Sequence, residues 1–385
     1  MQSGALSRLG GRRWADSARA AVLPFILTRA VVIGALVFLH FLLHTLHPAG
    51  PAGLRAVGTA RSGLMAWDAA WYERIASFGY ARAGRQSLRF FPLYPLLGHY
   101  LSLLPGFSVK IALLTIANLC AFAALVVLHR LVGLEQLARG SDTRSLYVFS
   151  LWPAAFVLVM GYSEGLLILL SLLTFYLLRT GRPAWSVLPS LLAGAARPVG
   201  LLLVVPALVE AFAWWRKGKR GRSHLLGWSA AVAAAPLGAV AYLGWVAARY
   251  GDFLLPFSLQ TSSRHRGLIA DPFVTLYDDG RDLLSGHHLG TALHAPFLVA
   301  FIALTIYLFF RLPAAYGWYA LATMAVAATA PNLDSLERYG LACFPLSIAL
   351  ACLLGRGSAE RVVLGGMATV LFAIACLAFA GLYVP

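Results

Sequence analysis

Charge is scarce in this 385-residue chain: only 12% of its residues are Asp, Glu, Lys or Arg, and 60% are hydrophobic. Soluble domains carry roughly twice that charged fraction, so a water-soluble fold is excluded. Acids are the scarcer sign, with 15 Asp and Glu against 31 Lys and Arg. Cysteine is also rare: Cys120, Cys343, Cys352 and Cys376 all lie inside apolar runs, none in CxxC or Cys/His spacing. That removes a disulfide frame and a zinc knuckle. The chain has no GxGxxG, no Walker loop, no fixed-period repeat and no low-complexity tract, so nucleotide binding has no support. A soluble protein with a net charge of +16 would suggest nucleic acid. Here the basic residues sit in short connections between apolar runs, and no nucleic-acid partner is expected.

What the sequence has is apolar length. A bilayer core about 30 Å thick takes about 20 residues of helix, because lipid offers no hydrogen-bond partner to an open backbone. Runs near 21–43, 109–129, 145–160, 165–179, 184–196, 199–215, 225–248, 292–310, 314–330, 339–355 and 361–383 suit this, those between 145 and 200 being short. The expected fold class is an all-α polytopic membrane protein. It forms one bundle and one domain over residues 1–385, with about ten or eleven transmembrane helices and amphipathic helices in a long first outer loop.

Arg8, Arg12, Arg13 and Arg19 precede the first run, which is too long for a signal peptide and has no small-residue cleavage site after it. With the N-terminus cytoplasmic, the inner loops hold Arg130, Arg139, Arg144, Arg179, Arg182, Arg216, Lys217, Lys219, Arg220, Arg222, Arg311, Arg356 and Arg361, as the positive-inside rule requires. Of the fifteen acids only Asp16, Glu135, Asp142, Glu210 and Glu360 then lie inside, and the rest face out. Chemistry is expected at that outer face, where the loops at about 44–110 and 249–291 are long.

The strongest local signal is MAWDAAWYERIASFGY, residues 65–80. Trp67, Trp71 and Ile75 recur every fourth residue, and Asp68 and Tyr72 follow the same spacing. This pattern predicts an aromatic-striped helix at the interface, with a carboxylate among rings able to stack on sugars. A plain reading also stands: Asp68 could be an N-cap. FFPLYPLLGHYLSLL, residues 90–104, predicts a proline-broken surface helix. Arg197 lies in AARPVG, where proline and glycine interrupt the apolar pattern, and could bind an anion or snorkel to water. Arg338 could serve likewise or merely pair with Glu337 or Asp334. Tyr162, Ser163 and Glu164 form a turn between two short runs. Arg29, in the first run, is expected to snorkel or pair inside the bundle. The histidine groups His40, His44, His47 and His287, His288, His294 lack a carboxylate at ligand spacing, so no metal is expected.

WDAAWYERIASFGY, then FFPLYPLL, WPAAFVLVMGYSEGLLILLSLLTFYLL, LLAGAARPVGLLLVVPAL and finally ERYGLACFPL resemble, in order from about residue 20 to 355, the PIG-V type of mannosyltransferase. That family adds a mannose during glycosylphosphatidylinositol anchor synthesis, and its bacterial relatives belong to the same C-type glycosyltransferase superfamily. The resemblance implies a polyprenyl phosphate mannose donor and an inverting transfer, with no cofactor. Asp68 matches the first-loop aspartate expected as general base in that superfamily, and the match implies that Tyr162 and Glu164 line the cavity. A departing phosphate needs fixed cations, for which Arg197, Arg264 and Arg338 are the candidates, and Trp67, Trp71, Tyr72, Glu73 and Tyr339 are expected against substrate. In the second outer loop this chain reads Ser262, Ser263, Arg264, His265 where many relatives show a tryptophan near the arginine, so acceptor choice does not follow.

The acceptor is expected to be a lipid, glycan or protein, and the Ala- and Arg-rich, Lys-poor composition suggests a bacterial plasma membrane. Other lipid-linked sugar transferases or ligases share the loop carboxylate. A secondary transporter would also have many spans, but it would show inverted repeats and buried ionisable pairs at mid-bilayer. A membrane scaffold would leave the acidic, aromatic outer loop unexplained.

Overall fold

The structure, a computed structural model, describes residues 14–48, 50–218, 221–261, 270–285, 294–329, 333, 335–355 and 357–383. Those residues are helical with no strand. In chain order the helices are α1 (Trp14–Leu46), α2 (Gly50–Ser62), α3 (Asp68–Ala83), α4 (Leu93–Ser102), α5 (Val109–Leu134), α6 (Ser141–Ser150), α7 (Glu164–Arg179) and α8 (Pro183–Ala196). There follow α9 (Val204–Arg216), α10 (Arg222–Tyr250), α11 (Leu255–Gln260), α12 (Pro272–Ser285), α13 (Ala295–Arg311), α14 (Ala314–Ala328), α15 (Leu336–Ala342), α16 (Pro345–Leu353) and α17 (Ser358–Phe379).

Among the described residues, five helices are long and apolar enough to cross a membrane: Trp14–Leu46, Val109–Leu134, Pro198–Arg216, Ser223–Tyr250 and Ser358–Phe379. The pair α15 and α16, bent by 84°, makes up to six. Large apolar side chains stand exposed along them, including Phe41, Leu119, Leu237 and Val362. So wide an apolar exterior belongs in lipid, and the chain is an integral membrane protein.

Several of the other expected spans are real but shorter helices. The run at 145–160 is the one most altered: α6 stops at Ser150, and a 3₁₀ turn at Ala155–Leu158 replaces its second half. Pro153 accounts for the stop, since it has no N–H to continue the ladder and disfavours helical geometry at Trp152. The residues so released are wholly buried, and Phe149, Trp152 and Phe156 belong to the main core.

The tightest helix pair is α8 against α10. A Cβ on Gly194 would lie 2.1 Å from the Ala235 carbonyl oxygen, and one on Gly238 would lie 2.0 Å from that of Leu191. Only glycine lets these backbones approach so closely, as is usual where helices pack without a hydrophobic driving force. Arg29 pairs within the bundle: its guanidinium stacks 3.6 Å from the Phe25 ring centroid and donates to Asn118 Oδ1 (3.1 Å) and the Leu158 carbonyl (2.9 Å).

Segment 90–104, expected as a surface helix, packs one face inward as α4. Tyr94 is fully buried, and its hydroxyl donates to the Leu113 carbonyl (2.9 Å). The result is a layer of short helices, α2 to α4, lying over one end of the long bundle.

Candidate active site

Four charged side chains from distant parts of the sequence meet at that end, each where a helix starts or breaks. Asp68 and Glu164 are the first residues of α3 and α7, and Arg338 lies in the first turn of α15. Arg197 is extended backbone (φ −159°, ψ 156°) between α8 and the 3₁₀ turn that begins at Pro198. Helix ends leave backbone groups unpaired and turn side chains out of the bundle's packing, which lets polar groups gather there.

Glu164 is the hub. Its side chain is 2% exposed, and its Oε1 accepts from Arg197 Nη1 (2.5 Å), Arg338 Nε (2.8 Å) and Arg338 Nη2 (2.6 Å). Its Oε2 is buried and has no hydrogen-bond partner among the described residues. Arg338 Nη2 also reaches Asp68 Oδ2 at 3.0 Å, and the same guanidinium lies 5.0 Å from the Tyr162 ring centroid. Asp68 is the accessible member of the group, its side chain 31% exposed against 7% for Arg338.

No side-chain cap starts α3: Trp67 is its N-cap, and the Asp68 carboxylate is turned to Arg338. The N–H of Asp68 donates instead to the Tyr162 hydroxyl (3.2 Å). Arg338 does not pair with its neighbour Glu337. That carboxylate is held by His294 Nδ1 (2.8 Å) and by the Tyr383 hydroxyl on Oε2 (2.5 Å). The Tyr162–Glu164 turn is buried, not a surface turn. Asp334 and Arg264 lie outside the described residues, as do His287 and His288.

Two backbone outliers flank the group. Trp67 (φ 58°) and Ser335 (φ 66°) are left-handed non-glycine residues directly before the helices that carry Asp68 and Arg338. Such conformations cost about 1–3 kcal/mol each and persist only where surroundings hold them. For Trp67 the hold is visible, its indole N–H donating to the Ala378 carbonyl (2.8 Å) of α17.

The remaining candidates surround this centre unevenly. Tyr72 is buried, its hydroxyl 2.7 Å from Ser163 Oγ, and burial pushes that hydroxyl up to about 12. Trp71 stacks on Phe90 at 5.9 Å. Trp67 lines an open groove of about 470 Å³ with Arg55, Gly58, Thr59, Ser62, Ala66 and Ala70. Tyr339 is half-buried against the main core. Glu73 pairs with Lys110 (3.7 Å).

Sequence reasoning missed the tyrosine clamp beside the site. The Tyr80 hydroxyl donates to the Phe90 carbonyl (2.7 Å), and the Tyr242 hydroxyl to that of Leu88 (2.8 Å). Only the GY ending of the aromatic block hinted at Tyr80, and nothing local marked Tyr242. Glu337 with its two partners was missed as well, since Tyr383 is 46 residues away. Among the described residues no three His, Cys, Asp or Glu side chains are grouped to hold a metal ion.

Residues 55–211 match the family described as Mannosyltransferase (PIG-V). Over this segment the chain is similar to members of that family. It is accordingly a glycosyltransferase, acting between a sugar donor and an acceptor. The PIG-V segment contains Asp68, Glu164 and Arg197, while Arg338 joins them from beyond it. No curated protein matches the chain.

Proposed function

We propose that the protein transfers mannose from a polyprenyl phosphate donor, with inversion, to a hydroxyl of a lipid, glycan or protein acceptor at the outer face of a bacterial plasma membrane. The observation that carries this reading is the contact between Asp68 and Arg338: an accessible carboxylate joined to a cation pair at the end of the bundle. A transferase needs those two functions side by side.

In this mechanism the acceptor hydroxyl attacks the anomeric carbon from the face opposite the lipid phosphate. Its oxygen bonds to that carbon while the bond from carbon to phosphate oxygen breaks, the electron pair leaving with the phosphate. The hydroxyl proton goes to the Asp68 carboxylate. A general base of this kind contributes roughly 10²–10⁴-fold. Negative charge grows on the departing phosphate, where Arg197 and Arg338, together with Arg264 of the second outer loop, supply fixed donors in a planar fork suited to phosphate oxygens. A phosphate is already a workable leaving group, so no cofactor is invoked.

Trp67, Trp71, Tyr72, Tyr162 and Tyr339 form the aromatic surroundings in which the sugar is held. The unpartnered Glu164 Oε2 is an unmet acceptor that a sugar hydroxyl would satisfy. The groove beside Trp67, the residue before Asp68, is where the acceptor would lie. Glu73, paired with Lys110, belongs to the margin of this surface.

The test is transfer of labelled mannose from synthetic polyprenyl phosphate mannose to membrane lipid, glycan and protein fractions, comparing the wild type with Asp68→Asn at equal folded protein. Transfer by the wild type and loss in the variant is the expected outcome. Equal transfer by both would remove Asp68 from the mechanism.

A further inference from the structure

The charges at the centre cancel. Two carboxylates, Asp68 and Glu164, face two guanidiniums, Arg197 and Arg338, and both cations are ion-paired to those carboxylates. An anionic donor arriving there meets a neutral group whose donors are largely engaged. Beside Arg197, Arg338 and Arg264, a further cation that is not already spent on a carboxylate would strengthen the hold on its phosphate.

Arg89 fits that description. It is half-buried and has no carboxylate partner among the described residues. Its Nε donates to the Gln86 carbonyl (3.3 Å) and its Nη1 to Gln260 Oε1 (3.2 Å). Its neighbour Phe90 packs edge-on against Tyr72 (5.2 Å), one turn along α3 from Asp68. Burial holds the Arg89 guanidinium below the usual arginine range, and the negative charge of Asp68 acts on it in the opposite sense.

The backbone on either side of Arg89 is pinned. The Leu88 carbonyl is held by Tyr242 of α10 and the Phe90 carbonyl by Tyr80 of α3, while Ser87 Oγ closes the turn onto the Gly84 carbonyl (2.6 Å). Leu88 and Phe91 are themselves core residues. An arginine on so firmly held a strap is preorganised, which lowers the entropy lost when it binds an anion. Through Gln260, at the end of α11, it is tied to the second outer loop just before residues 262–269.

We propose that Arg89 binds the phosphate of the lipid-linked donor, with Gln260 as the positioning residue that holds its fork. The inference rests on the transferase reading above and adds a cation which that reading did not include. Phosphate oxygens would meet the guanidinium nitrogens other than the Nη1 held by Gln260, a gain because bonds between ionised partners are the stronger kind.

The experiment uses the purified full chain in lipid nanodiscs, with two probes: polyprenyl phosphate and uncharged polyprenol. Equilibrium binding is measured for the wild type, Arg89→Ala, Arg89→Lys and Gln260→Ala, with thermal melting as the check on folding. Arg89→Ala should weaken polyprenyl phosphate binding by about tenfold or more, and Arg89→Lys by several-fold, with polyprenol unchanged in each. Gln260→Ala should show a smaller loss of the same selectivity. In the transfer assay the KM for the donor should rise in Arg89→Ala by more than kcat falls.

A folded Arg89→Ala protein that binds polyprenyl phosphate like the wild type overturns the proposal, even if the wild type transfers mannose. Phosphate binding that depends on Arg89 in a wild type that transfers no mannose would keep this site and sink the mannosyl reading. A wild type that does not distinguish phosphate from alcohol overturns the site outright.

Discussion

Helix α7 carries a charged cluster at each end, and the two are built differently. At its start, Glu164 joins Asp68, Arg197 and Arg338. About 22 Å away along the helix axis, Arg179 donates to both oxygens of Glu135 (2.7 and 2.9 Å) and to Glu210 Oε1 (2.9 Å). Tyr316 adds its hydroxyl to Glu135 Oε1 (2.7 Å). In that distal group both Glu135 oxygens are satisfied by a bidentate fork, and four helices or helix ends are tied together. In the first group one carboxylate oxygen is orphaned and another carboxylate is open to solvent. A closed network specifies a fold, whereas an incompletely satisfied one beside a groove is where a ligand can supply the missing partners.

The sharpest way to break this comparison is to neutralise one charged side chain at each end. Asp68→Asn should lower transfer by about 10²–10⁴-fold with little change in melting temperature, because its side chain is partly exposed and makes one ion pair. Arg179→Met should do the reverse. It strands a buried Glu135 and destabilises the bundle by about 3 kcal/mol, while the fraction that remains folded keeps its activity. Denaturation in detergent and transfer per folded molecule, measured on both variants, separate the two roles. Loss of activity in folded Arg179→Met would end the distinction.

That contrast bears on what the sequence could reveal. The apolar runs, the basic connections between them and the all-helical class were legible because lipid forces every backbone group into a helix. So were Asp68, Glu164, Arg197 and Arg338 as individuals, each standing in a local block with its own composition. Their convergence was not. Asp68 and Arg338 are 270 residues apart, and no periodicity links α3 to α15. Boundaries inside 145–200 were lost for a related reason: α6, the Ala155–Leu158 turn and α7 are broken pieces buried on all sides, so hydrophobicity runs on through the breaks. Arg89 escaped notice because its setting depends on Tyr242 and Gln260, 153 and 171 positions away by sequence number.

A finer contrast concerns the buried tyrosine in each cluster. Tyr316 bonds a carboxylate, while Tyr72 shares a neutral hydrogen bond with Ser163. Replacing Tyr72 by Phe should therefore cost only about 1 kcal/mol at neutral pH. Its signature should appear in alkali. Burial raises the Tyr72 hydroxyl from its ordinary 10.0 to about 12, so the folded chain keeps a proton that the unfolded chain gives up. The stabilisation this provides is fully present below about pH 10 and is lost as pH rises towards about 12. In Tyr72→Phe that part of the alkaline loss disappears, an amount on the order of 2–3 kcal/mol between those limits. Melting curves of wild type and variant should thus converge as pH rises above 10 and then cross, since the wild type alone gives up this contribution and it exceeds the loss at neutral pH. Curves that stay parallel would mean that Tyr72 is hydrated in the folded protein, and that the aromatic floor beside Asp68 is open to water rather than sealed.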